Sequence, residues 1–422
     1  MGCVRRGFAT GRRACLVWLL TALSACAWQE VPSNPPSALP DAAEINAVLR
    51  QLSEITGFRV RHQLPFRLMT RDEINSYIQG QIRRSVRPKD IHAEELSLKK
   101  LGFVSADFDL KQTTIDLLTE QAAAFYDFHK KKLFISDWAA STMRNEALVH
   151  ELAHALADQN FNIEKYLSKG PSNADEALAR QTVVEGQASW LTLEYAAHQA
   201  GKTLADAATA RELFRQDLDP DDPQYPVFSK APLYLRATML FPYQEGQTFQ
   251  QAVRLRHGQS GFELLFRKPP VTTSQVLHPD VYFAGTVPVI PELPAPVRGM
   301  KAAVRGVFGE EDMRVLLRQY TSVSVARQLA PGLRGGCYRI DQAPNDKNDE
   351  HATLVFATEW ADEDSAVEFL GAYRKVLTGK WKRVKTFTED AAHFIGESEV
   401  GYFSVIRSGK TVVSREGFAD KL

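Results

Sequence analysis

Residues 148–161 read Leu-Val-His-Glu-Leu-Ala-His-Ala-Leu-Ala-Asp-Gln-Asn-Phe. The centre of this stretch, His150-Glu151-Leu152-Ala153-His154, puts two imidazoles four residues apart with a carboxylate beside the first. On an α-helix, residues four apart share a face, with Cβ atoms about 5–6 Å from each other. Two imidazole nitrogens so placed reach one tetrahedral Zn²⁺ at about 2.0–2.1 Å. Glu151 is turned by about 100° from His150. It therefore addresses a water on the metal rather than the metal itself, and takes its proton as general base. The flanks Leu148, Val149, Ala155 and Leu156 carry no charge, and neither Pro nor Gly interrupts them. A solvated helix would not exclude charge in this way, so the spacing predicts a buried helix whose polar groups need partners.

A tetrahedral site needs a third protein ligand. No histidine follows at the next suitable spacing, where Asp158 and Asn160 stand instead. A second long helix is predicted over 173–200, capped by Ser172 or Asn173, and it offers Asp175, Glu176, Glu185 and Glu194. Glu185 sits in the uncharged run Val183-Val184-Glu185-Gly186-Gln187-Ala188, which suits a buried anion paired with a cation. Glu176 and Glu194 each lie nine residues from Glu185, on the opposite face of the helix. Asp175 and Glu176 are also in the first turn, where the helix dipole accounts for acidic residues. Glu185 is the predicted third ligand.

Outward from these helices, Ile45, Val48, Leu49 and Leu52 recur at helical spacing, and helices are expected over 71–84, 92–101 and 109–121. Ala124 to Asp127 and Leu133 to Ile135, separated by a lysine-rich turn, read as a hairpin or sheet edge. Residues 218–233 read as a loop, followed by helical segments at 233–240 and 248–257. The proline-rich stretch from Pro269 to Pro296 is expected to wrap the surface, which places a domain boundary near Arg298. Beyond it come a helix over 309–329, strands at 337–340, 352–358, 400–406 and 410–414, and a helix over 362–377. The fold class expected is α+β: a mainly helical metallohydrolase domain with a small edge sheet over 43–298, then a smaller α+β domain over 299–422.

The amino terminus reads differently. Arg5, Arg6, Arg12 and Arg13 precede the apolar run Ala14 to Ala25, too short to span a bilayer comfortably. That is the layout of a signal peptide over residues 1–25. Leu23-Ser24-Ala25-Cys26 resembles the bacterial lipobox, which implies lipidation at Cys26. Residues 26–42 then form a Pro-rich tether, and the protein is expected to be exported and held by a lipid anchor at the periplasmic or cell-surface side of a bacterial membrane. With Cys26 acylated, Cys337 has no partner for an internal disulfide. Lys+Arg and Asp+Glu each count 51, so no global field attracts nucleic acid, and none is expected as a partner.

The motifs HELAHALADQNF and VVEGQA together resemble gluzincin-type zinc metallopeptidases, and in particular a bacterial lipoprotein group with HEL-x-HAL-x-DQ and a later VEG-x-A. Phe125-Tyr126-Asp127, Phe241-Pro242-Tyr243, Val276-Leu277-His278-Pro279 and the Trp360 region are similar to that group as well, so the likeness covers most of the chain. It implies a zincin-like fold, His150, His154 and Glu185 on Zn²⁺, Glu151 as general base, and a peptide or protein substrate hydrolysed by a zinc-bound water. Thermolysin-like members carry an aspartate four residues after the third ligand, where Ser189 stands here. Asp158, on the stripe of His150 and His154, is the candidate for the carboxylate that orients a ligand histidine. His278 is the expected donor to the developing oxyanion, with Tyr282 and Tyr243 as the other candidates. A cell-envelope binding or scaffolding lipoprotein with a structural or relict zinc site is the alternative function.

Overall fold

The computed structural model describes residues 40–85, 87–121, 124–137, 141–214, 225–344, 346, 349 and 351–419. Residues 1–25, Cys26 and the tether up to residue 39 lie outside the described residues, so the signal, lipidation and tether readings are not addressed by the structure. No helix among the described residues is long and apolar enough to cross a membrane.

The chain is mixed α and β, with helix predominating and the larger sheet in the C-terminal part. Helix α1 (Ala42–Thr56) starts at Asp41, whose side chain accepts from the Glu44 N–H at 2.8 Å, and buries the stripe Ile45, Val48, Leu49 and Leu52. It is followed by β1 (Phe66–Met69), α2 (Arg71–Ser85), α3 (Pro88–Leu101), α4 (Leu110–Gln121), β2 (Ala124–Asp127) and β3 (Lys132–Ser136). The metal-motif helix α5 (Ser141–Phe161) leads through α6 (Ile163–Ser168) to α7 (Ala174–Gln199). Then come α8 (Ala207–Phe214), α9 (Pro226–Lys230), α10 (Leu233–His257), α11 (Ser260–Arg267), α12 (Thr273–Leu277) and α13 (Pro279–Ala284).

The first sheet has the order β1-β3-β2, with β1 parallel and β2 antiparallel to β3. The expected β2–β3 hairpin is present. The parallel partner β1 has no such local signal, because its pairing spans a long sequence separation. One core gathers this sheet, α1, α5, α7 and α10 around Leu152, Leu156, Val184, Trp190 and Phe249.

Two helical segments had been expected within 233–257, but α10 runs unbroken through Pro242. Proline removes one backbone donor and ordinarily breaks a helix. Here Pro242 is buried, and the next turn is pressed backbone to backbone against α7. The contacts Gly186–Gly246, Gln187–Gln250 and Trp190–Gln251 advance together, so the two helices run in the same direction. A Cβ on Gly186 would come within 2.4 Å of the Gly246 backbone, and one on Gly246 within 2.6 Å of Gly186 Cα. Neither position accepts a side chain without separating the helices.

The C-terminal part begins at β4 (Lys301–Phe308). After it the expected single helix over 309–329 divides into α14 (Glu310–Tyr320) and α15 (Val323–Leu329), the second capped by Ser322. β5 (Leu333–Gln342), β6 (Thr353–Trp360), α16 (Glu363–Lys380), β7 (Val384–Glu389), β8 (His393–Ser398), β9 (Gly401–Ser408) and β10 (Thr411–Phe418) complete it. The sheet is antiparallel throughout, ordered β4-β5-β6-β10-β9-β8-β7. Strands β4, β7 and β8 are absent from the sequence expectation. β7 (VKTFTE) is almost wholly exposed, so no hydrophobic alternation marks it. The proline-rich stretch follows β5: the Val289 N–H donates to the Arg334 carbonyl at 2.9 Å, and buried Arg339 donates to that of Pro294 at 2.7 Å.

A second core crosses residue 298. It joins Leu98, Leu101 and Phe103 to Leu235 and Met239, and these to Phe308, Leu316, Phe356 and Phe369. At this junction Asp175, on the first turn of α7, accepts from both the N–H and the hydroxyl of Thr273. Burial, reinforced by Asp312 and Glu310, outweighs these bonds and pushes its carboxyl up to about 7. A carboxyl raised above its unfolded value of 3.8 favours folding most below that value and loses the contribution as pH climbs through about 7.

Two outcomes are expected. Gly246→Ala should cost about 1–3 kcal/mol through forced separation of α7 and α10; a chemical denaturation midpoint equal to the parent's would show that the helices are not in backbone contact. Asp175→Asn should flatten the fall in thermal stability between about pH 4 and about pH 7. Parallel pH profiles for variant and parent would exclude Asp175 as its source.

Candidate metal centre

α5 and α7 meet where His150, His154 and Glu185 face one another. The Nε2 atoms of His150 and His154 lie 3.1 Å and 3.3 Å from the same oxygen, Glu185 Oε2. The imidazoles stand edge to face, 4.6 Å between centroids. Exposure is 1 % for each histidine, 2 % for Glu151 and 0 % for Glu185. The Glu185 carboxylate is held there by geometry set elsewhere: its neighbour Gly186 is the residue pressed onto α10, so α7 approaches in one rotation only.

The other three carboxylates of α7 are engaged away from the histidines. Asp175 binds Thr273, and Glu176 accepts from Ser172 and Arg180. Glu194 accepts from Thr203, from the Leu204 N–H and from His198. Among these four, Glu185 is the one brought to the imidazoles.

Charge is distributed accordingly. Burial opposes ionisation of Glu185, but the two imidazoles more than offset it and hold the carboxyl at about 2. Burial also lowers His150, with the Glu185 hydrogen bond working against it. For His154 the same burial is outweighed by Glu185, and its pKa is raised. Glu151 is pushed up to about 8, mainly by burial, with Glu185 adding to the effect and His154 and the Tyr126 N–H opposing it.

Tyr126 has a role that the sequence does not reveal. From β2, its backbone N–H donates to Glu151 Oε2 at 2.5 Å, while its hydroxyl donates to Asp158 Oδ2 at 2.9 Å. One residue thus ties two of the three carboxylates of α5, Glu151 and Asp158, to the sheet edge. A backbone donor leaves no residue signature, so only the apolar strand around Phe125 and Tyr126 hinted at proximity. Asp158, expected to orient a ligand histidine, is occupied by Tyr126, Lys131 Nζ and the Ile163 N–H. It reaches His154 through its charge rather than through a hydrogen bond among those formed.

The three candidate oxyanion donors separate. Tyr243 lies beside the centre, its ring 5.9 Å from that of His150 and inclined by 31°. Tyr282 donates its hydroxyl to the Lys268 carbonyl and packs on Phe249. His278, at the α12–α13 junction, pairs with Glu310 at 2.8 Å, and this hydrogen bond raises its pKa. Glu245 and Arg314 share that neighbourhood. Residues two apart on a helix point about 200° from each other, so Tyr243 and Glu245 face opposite sides of α10. The structure does not bring His278 to the His150–Glu151–His154 cluster. Cys337 is buried, hydrogen-bonded to the Pro291 carbonyl, and burial pushes its thiol up to about 11, which leaves it inert as a nucleophile.

The donor set fits a zinc ion. Ligand atoms of His150, Glu151 and His154 lie within 4.8 Å of one another, all buried. His150 Nδ1, His154 Nε2 and Glu185 Oε1 are buried with no hydrogen-bond partner, an arrangement that is unfavourable for a purely structural polar cluster. Two imidazoles and one carboxylate match the ligand class of single-zinc hydrolases.

A domain of unknown function (DUF8575) matches residues 297–421. The matched stretch excludes His150, Glu151, His154 and Glu185. Neither the curated proteins nor the solved structures contain a match to the chain.

Tyr126→Phe removes a hydrogen bond to a buried carboxylate and should lower stability by about 1.5–3 kcal/mol, read from urea unfolding. An unchanged midpoint would mean that Lys131 and the Ile163 N–H hold Asp158 unaided.

Proposed function

We propose that the chain is a gluzincin-like zinc metallopeptidase of zincin-like fold, exported and tethered to a bacterial membrane through a lipid on Cys26. The observation that carries the reading is the convergence of His150 Nε2 and His154 Nε2 on one oxygen of Glu185, at no more than 1 % exposure. A buried anion held between two imidazoles, each with an unpartnered nitrogen, is the arrangement of three ligands around a cation.

In this reading His150, His154 and Glu185 hold the zinc. The ion, when bound, supplies Lewis acidity that polarises a peptide carbonyl and acidifies a water. Glu151 accepts the proton of the attacking water and returns it to the departing amine, so that one water is consumed per peptide bond broken. The Tyr126 N–H fixes the carboxylate of Glu151 for both transfers. Tyr243, whose ring flanks His150, takes the role of donor to the carbonyl oxygen. The substrate class is a peptide or protein; neither the balanced net charge nor the site favours nucleic acid.

A structural zinc site in an envelope binding protein is the second reading, favoured by the burial of Glu151 alongside the ligands. The two differ in what removal of the ion does. Protein purified without chelator should contain about one zinc per chain, and a metal-free preparation would sink both readings. Glu151→Gln should retain the zinc and lose hydrolysis of an unfolded protein substrate by at least about a hundredfold. Retained turnover in that variant would take Glu151 out of the reaction; no turnover in either protein, with unfolding on chelation, would favour the structural site.

A further inference from the structure

A cavity of about 80 Å³ lies where α3, α4, the first half of α7 and α10 meet β4 and α14. In the same measure one water needs roughly 10–15 Å³, so there is room for about six non-hydrogen atoms. Its walls are largely hydrocarbon, with Leu98, Leu117, Leu178 and Phe308 among them. The hydroxyls of the lining turn back onto their own helices. Ser97, Thr114 and Thr238 donate to the carbonyls of Ala93, Leu110 and Tyr234, each four residues earlier. The Tyr234 hydroxyl donates to Asp312, and that of Thr273 to Asp175. Water in such a space finds few partners, so an apolar body that displaces it gains.

The acids of the lining contribute little charge. Burial pushes the Glu311 carboxyl up to about 8 and that of Asp175 up to about 7. Asp312 is engaged by the Tyr234 hydroxyl and the Gly309 N–H, and Glu94 is half-exposed. No Lys, Arg or His lines the cavity. Glu311 itself is 6 % exposed, and its two oxygens differ. Oε2 accepts from Arg314 at 3.3 Å, whereas Oε1 forms no hydrogen bond with a described residue. A proton on this carboxyl therefore belongs on Oε1, because Oε2 already faces a donor. The cavity thus presents hydrocarbon and one neutral O–H. An ion entering it would give up hydration without meeting an opposite charge that is free to receive it.

We propose that this cavity binds a small neutral molecule, a branched hydrocarbon body of about five carbons carrying one oxygen that accepts a hydrogen bond. The oxygen accepts from the Glu311 carboxyl, and the body fills the space between Leu98, Leu178 and Phe308. Because the walls come from α3, α4, α7 and α10 on one side and from β4 and α14 on the other, an occupant touches the helical part and the C-terminal part together. Its binding therefore stabilises their junction. None of His150, Glu151, His154 and Glu185 lines the cavity, so the site stands whether or not the metal centre is catalytic.

The test is ligand-observed NMR and thermal unfolding of the whole protein with 3-methyl-1-butanol at about pH 6, below the values to which burial raises both carboxyls. Isopentylamine and 3-methylbutanoate serve as its charged counterparts of the same shape. The alcohol should bind at about one site per chain and raise the unfolding temperature, with each ion at least about tenfold weaker. Glu311→Leu should weaken alcohol binding about tenfold, whereas Glu311→Gln, which keeps a donor, should bind it as the parent does. Val307→Phe, which fills the cavity from a half-buried position on β4, should abolish binding. The proposal is overturned if the alcohol does not bind, if either ion binds as tightly, or if Glu311→Leu and Val307→Phe both bind the alcohol as the parent does.

Discussion

A carboxylate with no access to water, facing two imidazoles, sets the conditions for the helical half of this protein. Burying Glu185 is unfavourable unless an opposite charge stands within a few ångströms. The imidazoles, or a cation among them, provide it only when α5 and α7 keep their rotation and spacing. The close contact of Gly186 with Gly246 fixes that rotation from behind, and it explains why α10 continues through Pro242: the turn beyond the proline is clamped onto α7. The same clamp sets Tyr243 beside His150. Position and charge at the centre are thus two outcomes of one helix pair lacking side chains where it touches.

How far this was legible in the sequence depends on the range of each interaction. α5 and α7 are long, with capping and buried faces written locally, and Glu185 is distinguished from its neighbours by the uncharged residues around it. The β2–β3 hairpin is likewise local. Strand β1 gains its place from a parallel partner more than sixty residues on, and β10 inserts beside β6 across α16 and a three-stranded meander. Neither pairing has a signature within the strand itself. β7 lacks even a buried face. The expected break in α10 followed from the intrinsic habit of proline, which tertiary packing overrode.

At the centre, side-chain types were readable and backbone roles were not. HELAH specifies what can bind a metal, but the N–H of Tyr126 could have been that of any residue. The placement of His278 shows the converse. Its proline-bounded loop looked like a site, yet its partner is Glu310 on the C-terminal part, a contact that no spacing within 269–296 encodes. Asp158 has the right stripe on α5 and a different set of partners, because Lys131 and Ile163 approach it from segments on either side.

The core that joins Leu98 and Phe103 to Phe308 and Phe356 bears on inheritance. The stretch matching a domain of unknown function begins at residue 297, in the middle of that shared interior. As a gene fragment, it would carry Val304, Phe308 and Tyr338 into water without the helices that cover them here. The strands of that stretch and the helices packed on them share one interior, so a change at Phe103 or at Phe308 bears on both at once.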